Sequence, residues 1–492
     1  MKHLSLLLNL LIASGSAFAA GEAPPPKTAL LDAAAIAAEP IRYLENDRLK
    51  IGINLVAGGA VTYLEDKKYQ SGNMINSFDW GRQIQLSYYS GPKPFIGPNG
   101  EQPHPTWVGL GWNPVQAGSW ARIPSKTLSF ETGKDFMRVR CIPMQWPLEN
   151  VPADCEFEAT YRLTADNAVE MQGRIINHRL DKTQYAACIQ EMPALYTNGP
   201  WYRLVTYLGD AAFTDAPLTT VVGKDDIKGF PVSAWAKWYA PEHWAALVNE
   251  AGTGVGLFQP DTSMFGGGFA GGNELKGVGG PGDGQTGYLS ATALRILDHN
   301  IDWAYRTQIV VGSLDEMRAH AKQQPRNALS WSFASDRHGW TYENARDAGW
   351  PIKDGLKITY QASPQGAMLS DVIFWKAEEA PVLEIEAAFK AQAPTLQLQV
   401  IIQPFEPADR TDFPAWEVAS PAIIAETARK KKEFPAAPAI SIPLTVQGDG
   451  ELHSYTLKLD ESPAYRGGMK QLRLVFPSAD GTAEIRRISL RR

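Results

Sequence analysis

From Leu49 onward the chain repeats apolar positions with a period of two. Leu49, Ile51, Ile53 and Leu55 alternate with Lys50, Gly52 and Asn54, and the run stops at Gly58-Gly59. Ile84, Leu86 and Tyr88 alternate in the same way with Gln83, Gln85 and Ser87, as do Phe157, Ala159 and Tyr161. Val169 and Met171 follow the latter across the turn residues Ala165-Asp166-Asn167. Trp244, Ala246 and Val248 are expected to face Val255 and Leu257 across a glycine-containing turn. Strands at hairpin spacing, with almost no helical period between them, predict an all-β protein.

One segment predicts a helix. Ser313-Leu314-Asp315-Glu316 has the form of a capping box, in which Ser313 and Glu316 each satisfy a free backbone N–H of the first turn. That helix is expected to run to about Gln323 and end before Pro325, closing a large sandwich domain over residues 41–325. Alternation resumes with Leu383, Ile385, Ala387 and Phe389 and again with Leu396, Leu398 and Val400. It closes with Tyr455, Leu457 and Leu459, then Leu472, Leu474 and Phe476, which predicts a smaller C-terminal β-sandwich of jelly-roll type over 326–492. Residues 265–287 hold eleven glycines without a phosphate-loop ending and are expected to form a flexible loop over the sandwich face. Lys430-Lys431-Lys432 reads as a solvated loop.

The N-terminal residues change the compartment. Met1-Lys2-His3, the apolar run Leu4 to Phe18 and the small-x-small Ala17-Phe18-Ala19 predict a signal peptide over residues 1–20, and hence export to the periplasm or medium. Residues 21–40, with Pro24-Pro25-Pro26 and an Ala-rich stretch, read as a tether ending in a short helical turn. No later segment has the roughly 20 uninterrupted apolar residues of a membrane-spanning helix, so no integral membrane segment is expected. Forty-seven basic against 53 acidic side chains, a net charge of −6, argue against a polyanion such as nucleic acid as partner. Three cysteines are too few for a disulfide scaffold. Cys141 and Cys155 bracket a hairpin-like segment that one bond would close, leaving Cys188 as a buried free thiol.

The chain has 15 Trp, 17 Tyr and 18 Phe, and sugars stack their apolar C–H faces on such rings. The densest polar and aromatic segment runs from Asn76 to Tyr89 and offers Asp79, Arg82, Gln85 and Tyr89 as substrate-binding residues, with Gln83, Gln85, Ser87 and Tyr89 on one strand face. Trp107, Trp112, Asn113, Gln116 and Trp120 form a second cluster in a loop punctuated by Gly and Pro. Trp112, Asn113 and Gln116 join the substrate-binding set, together with Tyr196, His243, Trp244 and Asp302.

Glycoside hydrolysis needs two carboxyls, one protonated as acid and one ionised as base or nucleophile. Glu191, in Gln190-Glu191-Met192-Pro193, and Glu242, in Pro241-Glu242-His243-Trp244, lie among apolar neighbours that raise a carboxyl pKa, and they form the first catalytic pair. A glutamate bound to backbone amides produces the same pattern. His299, between Asp298 and Asp302, is a third candidate as general acid or base. His299 and Asp302 also have a weak metal-ligand spacing with no third ligand, so neither metal nor cofactor is expected. No Gly-x-Ser-x-Gly, His-Glu-x-x-His or Cys-x-x-Cys motif is present, which removes serine-hydrolase, zincin and zinc-ribbon chemistry.

Gly58-Gly59-Ala60-Val61 with Asn76, the aromatic-rich strands and the Trp244-to-Leu257 hairpin together resemble the galactose-mutarotase-like supersandwich across residues 41–325. The resemblance implies an all-β fold found in sugar epimerases and in domains of glycoside hydrolases and polysaccharide lyases. Epimerases of that fold use a His and a Glu on the concave face, a motif with no residue-by-residue counterpart here. The C-terminal part resembles a carbohydrate-binding sandwich in length and strand pattern. A glycoside hydrolase acting through Glu191 and Glu242 is the leading expectation. A polysaccharide lyase would instead use His299 or a tyrosine as base, with Arg82 or Asn113 against a uronate carboxyl. A non-catalytic glycan-binding protein would use the same aromatic face. No feature of the sequence specifies an oligomeric state.

Overall fold

The computed structural model describes residues 33–222, 236–270, 279–405 and 438–491 of the 492-residue chain. The signal segment 1–20, most of the tether and Lys430-Lys431-Lys432 lie outside the described residues. The Ala-rich end of the tether forms the short helix Ala33–Ala38.

The fold is all-β and sandwich-built. The first domain packs a seven-stranded antiparallel sheet on a nine-stranded one, with a three-stranded sheet beside them. The seven-stranded sheet runs, in spatial order, Ala236–Tyr239, Met264–Ala270, Thr286–Arg295, Cys188–Asn198, Gln85–Ser87, Pro114–Val115 and Met144–Gln145. Alternation places Leu86, Tyr88, Leu195, Leu289 and Ala291 on its inner face. There they meet Phe157, Tyr161, Met171, Leu257 and Ile309 of the nine-stranded sheet in one buried core. The Tyr88 ring meets Phe157 edge-on at 5.0 Å and Trp303 at 6.1 Å, a contact beyond simple area burial.

Period two thus located the strands, but the facing in one hairpin is the reverse of the expectation. Trp244–Val248 pairs with Thr253–Phe258 so that Leu247 opposes Val255 and Ala245 opposes Leu257. Directly opposed residues share a face, so these four point into the main core. Trp244, Ala246 and Val248 pack on the outer face, under Met317 and Ala321. Those two belong to the helix Leu314–Gln323, whose capping box forms as read: Ser313 Oγ accepts from the Glu316 amide and Glu316 Oε2 accepts from the Ser313 amide.

The glycine-rich segment is only partly a loop. Gly266-Gly267-Gly268 lies within the strand Met264–Ala270, and Thr286 and Gly287 open the next strand. Between them, residues 271–278 lie outside the described residues. The part described from Gly279 to Gln285 is held against the Asn76–Arg82 loop. The Ser77 amide donates to Pro281 O at 2.6 Å, Asn76 Nδ2 to Asp283 O at 2.9 Å and Arg82 Nη1 to Gly284 O at 2.8 Å.

The second domain has its own core, from Trp331 to Leu490, around a ten-stranded sheet. Its aromatic side chains Trp331, Trp340, Trp375, Tyr360 and Tyr465 are buried. The two domains meet through a buried ion network in which Arg337 reaches Asp298 at 2.6 Å and Asp347 at 2.5 Å. Gln184 Nε2 binds both carboxylates, and Trp350 packs against both cores. Cys141 and Cys155 are buried and free, because on adjacent strands Cys141 opposes Phe157 and is offset from Cys155. Cys188 is also free, and half-exposed instead of buried. No helix among the described residues is long and apolar enough to cross a membrane.

Candidate functional site

The outer face of the seven-stranded sheet carries polar groups at its centre. Glu191 opposes Ser87 on one neighbouring strand and Thr292 on the other, so the three side chains lie in one row across the sheet. The register shifts just beyond Glu191, where Pro193 has no N–H for the ladder. Tyr89 and Tyr288 come from the flanking segments and donate their hydroxyls to the two carboxylate oxygens. Tyr89 reaches Oε2 at 2.9 Å and Tyr288 binds Oε1. Ser87 Oγ in turn donates to the Tyr89 hydroxyl at 3.1 Å. Tyr196 lies against Tyr288 with ring centroids 4.8 Å apart.

The electrostatics follow from burial. Glu191 is 8 % exposed, and so buried. Burial raises its pKa, while the hydroxyls of Tyr288, Tyr89 and Ser87 pull it down by stabilising the ionised form. Burial and the Glu191 charge push both tyrosines well above their ordinary value, so they act as hydrogen-bond donors and not as bases.

A loop forms the rim of this face. It leaves beside Tyr196, whose carbonyl accepts from the Asn76 amide at 3.1 Å, and returns at Gln85, opposite Ala194. Asp79 and Arg82 therefore lie in the loop at the Tyr196 end of that strand. Arg82 Nε lies 3.2 Å from Asp79 Oδ2, and its Nη1 is anchored to Gly284 O, four residues before Tyr288. A Cβ on Gly81 would stand 2.9 Å from the Trp146 ring and 3.1 Å from Asp79 Oδ1, so that indole closes on the loop. Trp107 meets Trp146 edge-on at 5.7 Å, and His104 packs on Trp120 at 4.3 Å, extending a band of rings from the rim.

Of the substrate-binding residues read from sequence, Tyr89 binds Glu191 and Tyr196 lies against Tyr288, while Asp79 and Arg82 pair with each other in the adjoining loop. Gln85, Trp112, Asn113 and Gln116 do not present free groups there. Gln85 binds Trp80 O and the Ala117 amide, Gln116 binds the Leu86 amide and Gly58 O, and Asn113 binds Tyr88 O. Trp112 is core, with its Nε1 on Asp154 at 3.1 Å. These buried amides brace the loops from behind, in place of backbone ladder bonds.

Glu242 is not brought to Glu191. It lies under the helix on the outer face of the nine-stranded sheet, with the main core between the two carboxyls. It is fully buried and engaged by Arg318 Nε at 3.0 Å and Nη2 at 2.7 Å, by Trp244 Nε1 at 3.0 Å and by the Phe213 amide at 2.8 Å. The apolar neighbours that suggested an acid instead enclose an ion pair, and Trp244 serves that pair. His243, buried at the domain junction, is pushed down to about 4 by burial. His299 stands on a turn near the same junction. Its expected orienting carboxylates are engaged elsewhere, Asp298 by Arg337 and Asp302 by Arg174 at 2.7 Å. Among the described residues no group of three His, Cys, Asp or Glu side chains is placed to hold a metal ion.

Tyr288 and Trp146 were missed in the sequence. The alternation Tyr288, Ser290, Thr292 against Leu289, Ala291, Ala293 would have shown the strand that carries Tyr288, had the glycine-rich reading stopped earlier.

No family model matches the chain, and no curated protein matches it. Solved structures match the chain at low identity and low TM-score. A galactose mutarotase related enzyme from Lactobacillus acidophilus covers 56% of this chain and 97% of its own, at 11% identity and TM-score 0.32. An aldose epimerase homologue from C. elegans covers 56% and 98%, at 10% identity and TM-score 0.33. A 4-alpha-glucanotransferase from Thermococcus litoralis covers 59% of this chain and 40% of its own, at 10% identity and TM-score 0.33.

Proposed function

We propose that the protein is a glycan-acting enzyme of the glycoside hydrolase class, working on the outer face of the seven-stranded sheet. The observation that carries this reading is the Glu191 carboxyl, nearly buried and held by the hydroxyls of Tyr89 and Tyr288. A carboxyl whose pKa burial raises is suited to protonate a leaving glycosidic oxygen, and two fixed hydroxyls aim it and stabilise the carboxylate left behind. Asp79, ion-paired to Arg82 in the loop that adjoins this sheet at Tyr196, is the carboxyl we assign as base or nucleophile in place of Glu242. Tyr196 and Trp146 offer ring faces to the flanking sugars.

The raised pKa of Tyr89 and Tyr288 speaks against lyase chemistry, since a tyrosine base needs its proton loosely held. A panel of oligosaccharides is the test, with products followed both as new reducing ends and as unsaturated uronates. Reducing ends alone, abolished by Glu191→Gln, support hydrolysis. Unsaturated products would turn the assignment to a lyase, and binding without any product would leave a glycan-binding protein.

A further inference from the structure

The rim of the site carries more positive charge than its own ion pairs consume. Phe78, 42 % exposed, has two guanidinium groups against its ring, with Arg82 at 4.8 Å and Arg122 at 5.8 Å from the ring centroid. Arg122 Nη2 also donates to Phe78 O at 3.1 Å, so backbone and ring both hold it there. Its backbone φ is 64°, a left-handed conformation that costs a non-glycine residue energy. The turn that imposes it is closed by the Arg122 amide on Ser119 O at 3.0 Å. Asp79 pairs with Arg82 at 3.2 Å, and among the described residues Arg122 pairs with no carboxylate. The cluster is thus net positive on a chain whose net charge is −6. Among the described residues no hydrogen bond is made by Arg82 Nη2, Arg122 Nε or Arg122 Nη1. The donors left over are single N–H groups of two guanidinium planes, each able to reach one oxygen of a carboxylate or sulfate.

We infer that the glycan handled at this face is anionic, and that a carboxylate or sulfate on one of its sugars is received between Arg82 and Arg122 beside Phe78. This inference builds on the proposed glycan site around Glu191. Like charges packed on one ring repel, and an anion between them removes that repulsion while the ring supports both cations. Arg82 is also the residue tied through Gly284 to the strand of Tyr288.

The test uses the full chain carrying Glu191→Gln, so that bound glycan persists, and titrates it with matched oligosaccharides. These are oligogalacturonate, its neutral methyl ester, a sulfated galactan fragment and its desulfated form. The expected result is binding of at least one charged member about tenfold or more tighter than its neutral partner, the order of one charge-assisted hydrogen bond. That preference should weaken with added NaCl and be lost in Arg122→Asn, a substitution that tolerates the left-handed backbone. The uronate and sulfate pairs tell the two anions apart. Equal binding of charged and neutral members, or binding of none, overturns the inference. Turnover of a neutral glycan by the wild type but not by Glu191→Gln would leave the Glu191 assignment standing and remove only the anion.

Discussion

Tyr89 and Glu191 are separated by 102 positions in sequence, yet the tyrosine hydroxyl meets the carboxylate at 2.9 Å. The bond stabilises the ionised carboxyl and so opposes the burial that raises its pKa. If Glu191 is the proton donor, activity falls as pH rises through its pKa. Tyr89→Phe removes one stabilising bond, so that pKa rises and the alkaline limb of the pH–rate profile moves to higher pH. A bond to a charged group of roughly 1.5–3 kcal/mol corresponds to a shift of about one pH unit or more. An unmoved limb, or one displaced to lower pH, contradicts the role.

Glu242 and Arg318 form a fully enclosed pair, with the Glu242 side chain at 0% exposure and that of Arg318 at 9%. Removing the Glu242 charge strands a guanidinium in the interior, a change of roughly 3–5 kcal/mol. Glu242→Gln is therefore expected to lower the denaturation midpoint sharply while turnover per folded molecule stays at the wild-type level. Lost turnover with intact stability would return Glu242 to the catalytic residues.

His243 couples stability to pH. Its pKa is pushed down to about 4 in the folded chain, against about 6.5 when exposed. Between these values the unfolded chain binds the extra proton, so stability is full above about pH 6.5 and is lost as pH falls toward 4. The loss amounts to about 3 kcal/mol at most. His243→Asn, which accepts the positive φ of 60° at this position, should flatten that part of the stability profile. An unchanged slope in the variant would show that other groups set it.

Arg337 joins the domains by pairing Asp298 of the first with Asp347 of the second. Arg337→Ala leaves two buried carboxylates facing each other without a cation, a strongly destabilising change. Calorimetry should resolve the wild-type transition into two components in the variant, one per core. A single undivided transition at an unchanged midpoint would mean that the junction is held by apolar packing around Trp350 instead.

Period-two alternation was enough to read many of the strands, since the inward set Leu86, Tyr88, Phe157 and Tyr161 is visible without any structure, but it missed those masked by glycines such as Met264–Ala270. The capping box at Ser313 was legible because both of its bonds are local. Facing is harder to read. Trp244, Ala246 and Val248 look like a core row, but a helix covers the outer face too, so both faces of that strand are apolar. The site was half legible. Glu191, Tyr89, Asp79 and Arg82 stand out as polar or charged groups beside rings, whereas Glu242 looks the same as Glu191 until Arg318 is seen beside it. Tyr288 lies 97 positions from Glu191, and no local spacing signals a pairing made across strands.

The direct test of the account is Glu191→Gln measured twice on one glycan that the wild type cleaves. The account predicts that binding stays within a few-fold of wild type while the cleavage rate falls by about 100-fold or more, the range of a lost general acid. Cleavage at the wild-type rate by Glu191→Gln would contradict it.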